Sequence, residues 1–153
     1  MGLLDMLKNK ISPEPRTLKT EEYIVVGTHY YEKNIKKLAT ANDDYKRKAK
    51  TIIENGNAGK KIFQYNFINK PVKLIPEPKN QHDKNAVQVF IAGELVGYIS
   101  KEDNVHVKNV LSKHDIKYIS SFISGGKYKI VSLDENVFKD EYNIKIQIKI
   151  GYV

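Results

Sequence analysis

Two short stretches carry side chains that could recognise a ligand. Lys79-Asn80-Gln81-His82-Asp83 gathers a cation, an amide, an imidazole and a carboxylate in five residues. A carboxylate such as that of Asp83 accepts hydrogen bonds from hydroxyl or amide donors. Asp83 and Asn85 are also turn formers, whose side chains can be used up on backbone amides of their own loop. The second stretch is His29-Tyr30-Tyr31, where an exposed tyrosine would offer a flat face to a base. His82 beside Asp83 has the form of an acid-base pair, but no Ser, Thr or Cys nucleophile is placed with it. The four histidines are scattered without ligand spacing, so neither catalysis, nor a metal, nor a cofactor is expected.

These residues need a frame, and the alternation of apolar and polar positions supplies one. Residues 74–99 read as a polar, proline-flanked loop running into a hairpin. Val87, Val89 and Ile91 share one face, and Leu95 to Ile99 returns across the Gly93 turn. Upstream, Tyr23 to Tyr31 reads as the first strand, with Gly27 marking a bulge or a close backbone approach and Tyr30 and Tyr31 on opposite faces. Residues 42–55 read as one helix, capped by Asn42 and stopped by Asn55-Gly56, with Tyr45, Ala49, Ile52 and Ile53 on its apolar stripe. Its polar side holds Lys46, Arg47, Lys48 and Lys50, a face that either meets phosphate or is simply solvated. Lys61 to Ile68 and Val72 to Ile75 read as further strands, and residues 101–112 as a helix introduced by Ser100. Tyr118 to Ile123, Lys127 to Leu133 and Tyr142 to Ile150 complete the strands, with Gly125-Gly126 as a hairpin turn. About six strands with two or three helices predict a mainly β (α+β) fold, a small barrel or strongly curved sheet.

A chain of 153 residues with 41% hydrophobic residues suits one domain. Residues 1–16 read as an amphipathic helix (Leu3, Leu4, Met6, Leu7, Ile11) with a proline linker, which either packs on its own domain or docks on a partner or membrane surface. Residues 17–153 form the domain, with a helical insertion at about 33–60. No cysteine is present and no apolar run reaches the roughly 20 residues that span a bilayer, so a cytoplasmic protein is expected and a membrane partner is not. The net charge of +8 favours an anionic partner. Between Glu32 and Lys61 nine basic residues face four acidic ones, which makes this segment the expected electrostatic footprint.

Glu77-Pro78, Asn80, Asp83, Asn85-Ala86-Val87, Gly93 and Gly97-Tyr98-Ile99 resemble the signature of the HIRAN domain. That small β-rich module is found at the front of certain SNF2-type DNA-remodelling helicases and as a free-standing protein in bacteria and phages. Val26-Gly27-Thr28-His29-Tyr30-Tyr31 resembles the same family's first strand with its paired tyrosines. The resemblance implies an OB-like β-barrel that recognises single-stranded DNA, in one member at a free 3′ end. It implies that Asp83 accepts the terminal 3′-hydroxyl, that Asn80 is a neighbouring polar contact, and that Tyr30 and His82 enclose the terminal base. Tyr31 belongs to the paired motif, His29 stands where an arginine holds phosphate, and Lys79 replaces an asparagine. An imidazole cannot fork onto phosphate as guanidinium does, and His82 is a smaller stacking surface than tyrosine. Gln81 replaces a proline of the family's loop, which makes the loop less rigid.

The function these readings point to is a non-catalytic single-strand-binding module, an accessory factor in DNA repair, replication or mobile-element biology. Its expected partners are single-stranded DNA or DNA 3′ ends, with a helicase or nuclease as the candidate protein partner. The alternative is a protein-interaction adaptor that keeps the fold and has lost end recognition. Oligomeric state is not legible in the sequence.

Overall fold

The alternation that predicts strands is realised in an antiparallel sheet whose inner face is aliphatic. The computed structural model describes residues 16–153; the helix expected over residues 1–11, and nearly all of its linker, lie outside them. In chain order the described elements begin with β1 (Lys19–Val26), a 3-10 turn (Thr28–Tyr31), α1 (Glu32–Lys36) and β2 (Ala39–Ala41). Then come α2 (Asp43–Lys46), α3 (Ala49–Glu54), β3 (Ile62–Phe63), β4 (Tyr65–Phe67) and β5 (Val72–Pro76). The chain finishes with β6 (Val87–Ile91), β7 (Glu94–Ile99), α4 (Asn104–Lys113), β8 (Ile116–Val131) and β9 (Val137–Tyr152). Seven strands form one sheet in the order β3-β8-β9-β1-β7-β6-β5, and β2 pairs with β4 beside it.

The mainly β expectation holds, but the strand number and the barrel do not. Nine strands are present among the described residues, and the hydrogen-bonded order runs open from β3 to β5. Pro71 and Pro76 flank the β5 edge and cannot donate to a further strand. At the opposite edge β3 pairs through only two residues, Ile62 opposite Lys129 and Phe63 opposite Tyr128.

Three element boundaries also differ from the sequence reading. Gly125-Gly126 is not a hairpin turn but a bulge inside the 16-residue β8, where the register to β9 shifts between Ser124 and Gly126. A Cβ on Gly125 would lie 2.3 Å from the Asn143 carbonyl oxygen, so the close approach needs glycine. The true turn is at Ser132–Asn136, closed by Ser132 N–H donating to the Asn136 carbonyl at 3.0 Å. The helix expected over 42–55 is two, because Arg47 and Lys48 are extended. That break frees the Arg47 carbonyl to accept from the buried Lys129 ammonium at 2.9 Å. The cap holds: Asn42 Oδ1 accepts from Asp44 N–H at 3.2 Å. Finally, α4 starts at Asn104, three residues later than expected, after a Ser100 hydroxyl to Asp103 bond of 2.9 Å.

Inside the curve of the sheet, Tyr23, Val25, Val87, Val89, Ile91, Val96, Ile99, Ile146, Ile148 and Ile150 pack against Ile35 of α1 and Val107 and Val110 of α4. Lys145, Gln147 and Lys149 alternate outward along β9, as the pattern predicts. A satellite cluster of Ile52, Ile62 and Val131, with Tyr45, Ala49 and Ile53, seats the basic insertion on β3 and β8.

A polar clasp fixes α4 to β1. The Glu21 carboxylate accepts from Tyr152 at 2.5 Å and from Tyr23, and His106 Nε2 lies 2.8 Å away. Burial alone would push the Glu21 carboxyl up, but the hydroxyls of Tyr152 and Tyr23 with His106 outweigh it and hold it near 2. A carboxylate depressed on folding contributes stability above its unfolded value of about 4.3. That contribution is lost as pH falls toward 2. The urea midpoint should therefore fall between pH 5 and 2, and Glu21→Gln should show a smaller fall over that window.

Candidate nucleic-acid interface

β1 ends at Val26, five residues earlier than expected, and the turn begins at Gly27. At φ 74° this glycine is in the left-handed region, and the Tyr30 N–H donates back to its carbonyl at 3.1 Å. His29, Tyr30 and Tyr31 therefore sit on a 3-10 turn rather than on a strand, so they do not alternate between faces. Tyr30 is 78% exposed, with its ring centroid 3.9 Å from that of His29. Tyr31 is half-buried, 6.4 Å from the Tyr98 ring on β7.

The polar loop between β5 and β6 is tied through Glu77, Asn80, His82, Asp83, Asn85 and Ala86. Glu77 N–H donates to the Ala86 carbonyl at 2.8 Å, which closes the loop base. Asn80 Oδ1 accepts from the His82 and Asp83 backbone N–H groups at 2.9 and 3.0 Å, while its Nδ2 donates to Glu77 Oε2 at 3.1 Å. Glu77 Oε2 also accepts from the Tyr98 hydroxyl at 2.8 Å. Burial, then this Glu77 contact, raises the Tyr98 phenol to about 12. Asp83 Oδ1 accepts from Asn85 N–H, and its Oδ2 from Asn104 Nδ2, both at 2.8 Å. The Asn85 N–H chiefly, then Asn104 and the charges of Lys101 and Lys108, hold the Asp83 carboxyl below its ordinary value. Asp83 is thus an ionised acceptor in a fixed direction. A carboxylate has about four lone-pair sites, and two of these are occupied here. Lys79 and His82 project from the loop and are exposed.

The turn and the loop meet through β7. Val26, the last residue of β1, lies opposite Tyr98, and the Tyr98 side chain spans from Tyr31 to Glu77. Tyr98 thereby meets one residue of the turn, Tyr31, and one of the loop base, Glu77, which in turn holds Asn80. The basic residues Lys46, Arg47, Lys48 and Lys50 are exposed but lie elsewhere, on the insertion seated against Ile62, Val131 and Lys129. They do not form one helical face, and Arg47 is engaged by Asp44 at 2.5 Å.

Glu77 and Asn104 are organising residues of this site that residue-by-residue reasoning did not single out. Glu77 carried a signal, since it precedes Pro78 at the loop entrance and a lone acid there needs donors. Asn104 carried none. It is a 2% exposed polar residue on a helix 21 positions from its partner, and nothing local marks that pairing.

A family model described as the HIRAN domain matches residues 19–150. No curated protein matches the chain. Among solved structures, the chain is similar to the crystal structure of the HIRAN domain of human HLTF, at 18% identity and a TM-score of 0.44, over 87% of this chain and 74% of that one. The matched span takes in β1 to β8 and β9 as far as Ile150, and the chain belongs to the HIRAN domain family.

Proposed function

We propose that this domain is a non-catalytic single-stranded DNA-binding module that reads a 3′-hydroxyl end in the cytoplasm, as an accessory to repair, replication or mobile-element enzymes such as a helicase or nuclease. HIRAN domains are DNA-binding modules, which supports the coarser half of the reading. The single observation that supports the finer half is an ionised Asp83 carboxylate, oriented by Asn85 N–H and Asn104, in the same domain as a 78% exposed Tyr30 whose neighbour Tyr31 meets Tyr98 on β7. The aromatic takes the terminal base and the carboxylate accepts a hydrogen bond donated by the 3′-hydroxyl. Lys79 and His82 beside them supply cation and ring.

One observation favours the adaptor alternative. Both Asp83 oxygens and the whole Asn80 amide already have partners within the domain, so the loop is satisfied without DNA. End chemistry separates the two readings. A 3′-phosphate removes the hydroxyl donor and sets negative charge against the carboxylate, so the wild type should prefer a 3′-hydroxyl strand. Asp83→Asn keeps a similar shape without the charge and should abolish most of that preference. Asp83→Ala should weaken binding to hydroxyl ends about 10- to 100-fold, from the loss of a charged hydrogen bond of about 1.5–3 kcal/mol. Tyr30→Ala should cost about 1–3 kcal/mol on either end, since stacking is indifferent to the terminal group. Fluorescence anisotropy on paired oligonucleotides reads all four. Equal affinity of the wild type for both ends would defeat end recognition and favour the adaptor.

The insertion has its own test. If Lys46, Arg47, Lys48 and Lys50 touch phosphate, replacing all four with Gln should weaken single-strand binding and flatten its dependence on salt, because fewer counterions are released. An unchanged salt slope would return them to a solvated surface.

A further inference from the structure

Between the insertion and the β8–β9 hairpin lies a cleft of about 750 Å3, inside the roughly 300–1,000 Å3 that ligand sites occupy. His29 of the 3-10 turn and Lys36 of α1 line it, with Tyr65 of β4, and across from them Lys127 and Tyr142 beside the β8 bulge. His29 belongs to two places at once. It lines the cleft, and its ring lies 3.9 Å from that of Tyr30 at the end-reading site.

The aromatic opposite His29 is held in place. Tyr142, 45% exposed, stacks on Tyr128 with centroids 4.9 Å apart at 20°. The Lys61 ammonium donates to its hydroxyl oxygen at 2.6 Å and lies 4.7 Å from its ring centroid. A ring backed by another ring and flanked by a cation is ready to receive a base at little ordering cost. Glu32 and Glu141 also line the cleft, so phosphates are confined to the positions beside Lys36 and Lys127.

We propose that this cleft carries the nucleotides that follow the end-bound one, their bases stacked on Tyr65 and Tyr142 and their phosphates against Lys36 and Lys127. The inference rests on the single-strand reading above. On it the insertion serves the function by walling a path for the strand, and the basic tract of residues 46–50 is not required for that path.

The test uses 5′-labelled thymidine oligonucleotides of two, four, six and eight residues with free 3′-hydroxyls. Wild-type affinity should climb from two to about six residues and then level. Tyr142→Ala should lower six-residue affinity about 10- to 100-fold while leaving the two-residue strand unchanged. A flat length dependence in the wild type, or a Tyr142→Ala loss equal at every length, overturns the proposal. Photocrosslinking the wild-type protein to a strand with 5-iodouracil third from the 3′ end should label Tyr65 or Tyr142, and labelling only outside the cleft also overturns it. If 3′-phosphate and 3′-hydroxyl strands bind alike while length dependence and crosslinks stand, end reading fails and the cleft survives.

Discussion

Two residues of β1 hold the molecule together. From Lys19 to Ile24 the strand is paired with β9, and at Val25 and Val26 it passes to β7. That transfer joins the β8–β9 hairpin and the insertion on one side to the β5–β6–β7 meander and its loop on the other. It also places the 3-10 turn, since the chain leaves β1 immediately after Val26. Gly97 makes the transfer possible. A Cβ there would lie 2.5 Å from the Val26 carbonyl oxygen and 2.7 Å from Val25 Cγ1, so β7 could not approach β1 with any larger residue.

The same geometry explains why a loop of small polar residues can be stiff without the proline that the family carries at position 81. Asn80 does locally what a backbone turn would do, accepting from two consecutive amides, and Glu77 ties Asn80 to Tyr98. Asp83 then bridges to α4 through the buried Asn104, while Lys108 of α4 reaches Asn85 at 3.3 Å. The loop is therefore suspended between a strand and a helix. Rigidity matters for recognition because each side chain that is already ordered has less freedom to lose when a ligand arrives.

What could be read in the sequence was what short-range pattern controls. The β6–β7 hairpin, the outward lysines of β9 and the Asn42 cap follow from alternation and turn chemistry within a few residues. Three of the errors share one cause, which is that long-range pairing settled the matter. Glycines 125 and 126 look like a hairpin turn because their flanks look like separate strands, yet the approach of Asn143 makes them a bulge in one strand. The 42–55 stripe is helical in period, yet the Lys129 ammonium takes the Arg47 carbonyl out of the ladder. Tyr30 and Tyr31 have strand propensity, but β1 loses its partner beyond Val26 and the chain curls. The candidate site was legible as a motif. That Tyr31 of the turn and Glu77 of the loop both meet Tyr98 was not.

The pairing of β1 with β9 also bears on how the domain reaches its native state. Lys19 lies opposite Tyr152, so the earliest strand described completes its ladder only against the last. During synthesis the β5–β6–β7 meander and α4 can form from neighbouring sequence and β7 can pair with Val25, whereas Tyr23 and the rest of β1 stay unpaired until β9 emerges. The β8–β9 hairpin, though long, is local and can zip from its Ser132–Asn136 turn. Its capture of β1 is a closure across most of the chain. A new pair of ends cut at that exposed turn, with the native ends linked, would leave every core residue in place but make β1 and β9 neighbours in sequence. Such a permuted chain exchanges one distant pairing for another, and its folding rate would show which of the two closures limits the natural order.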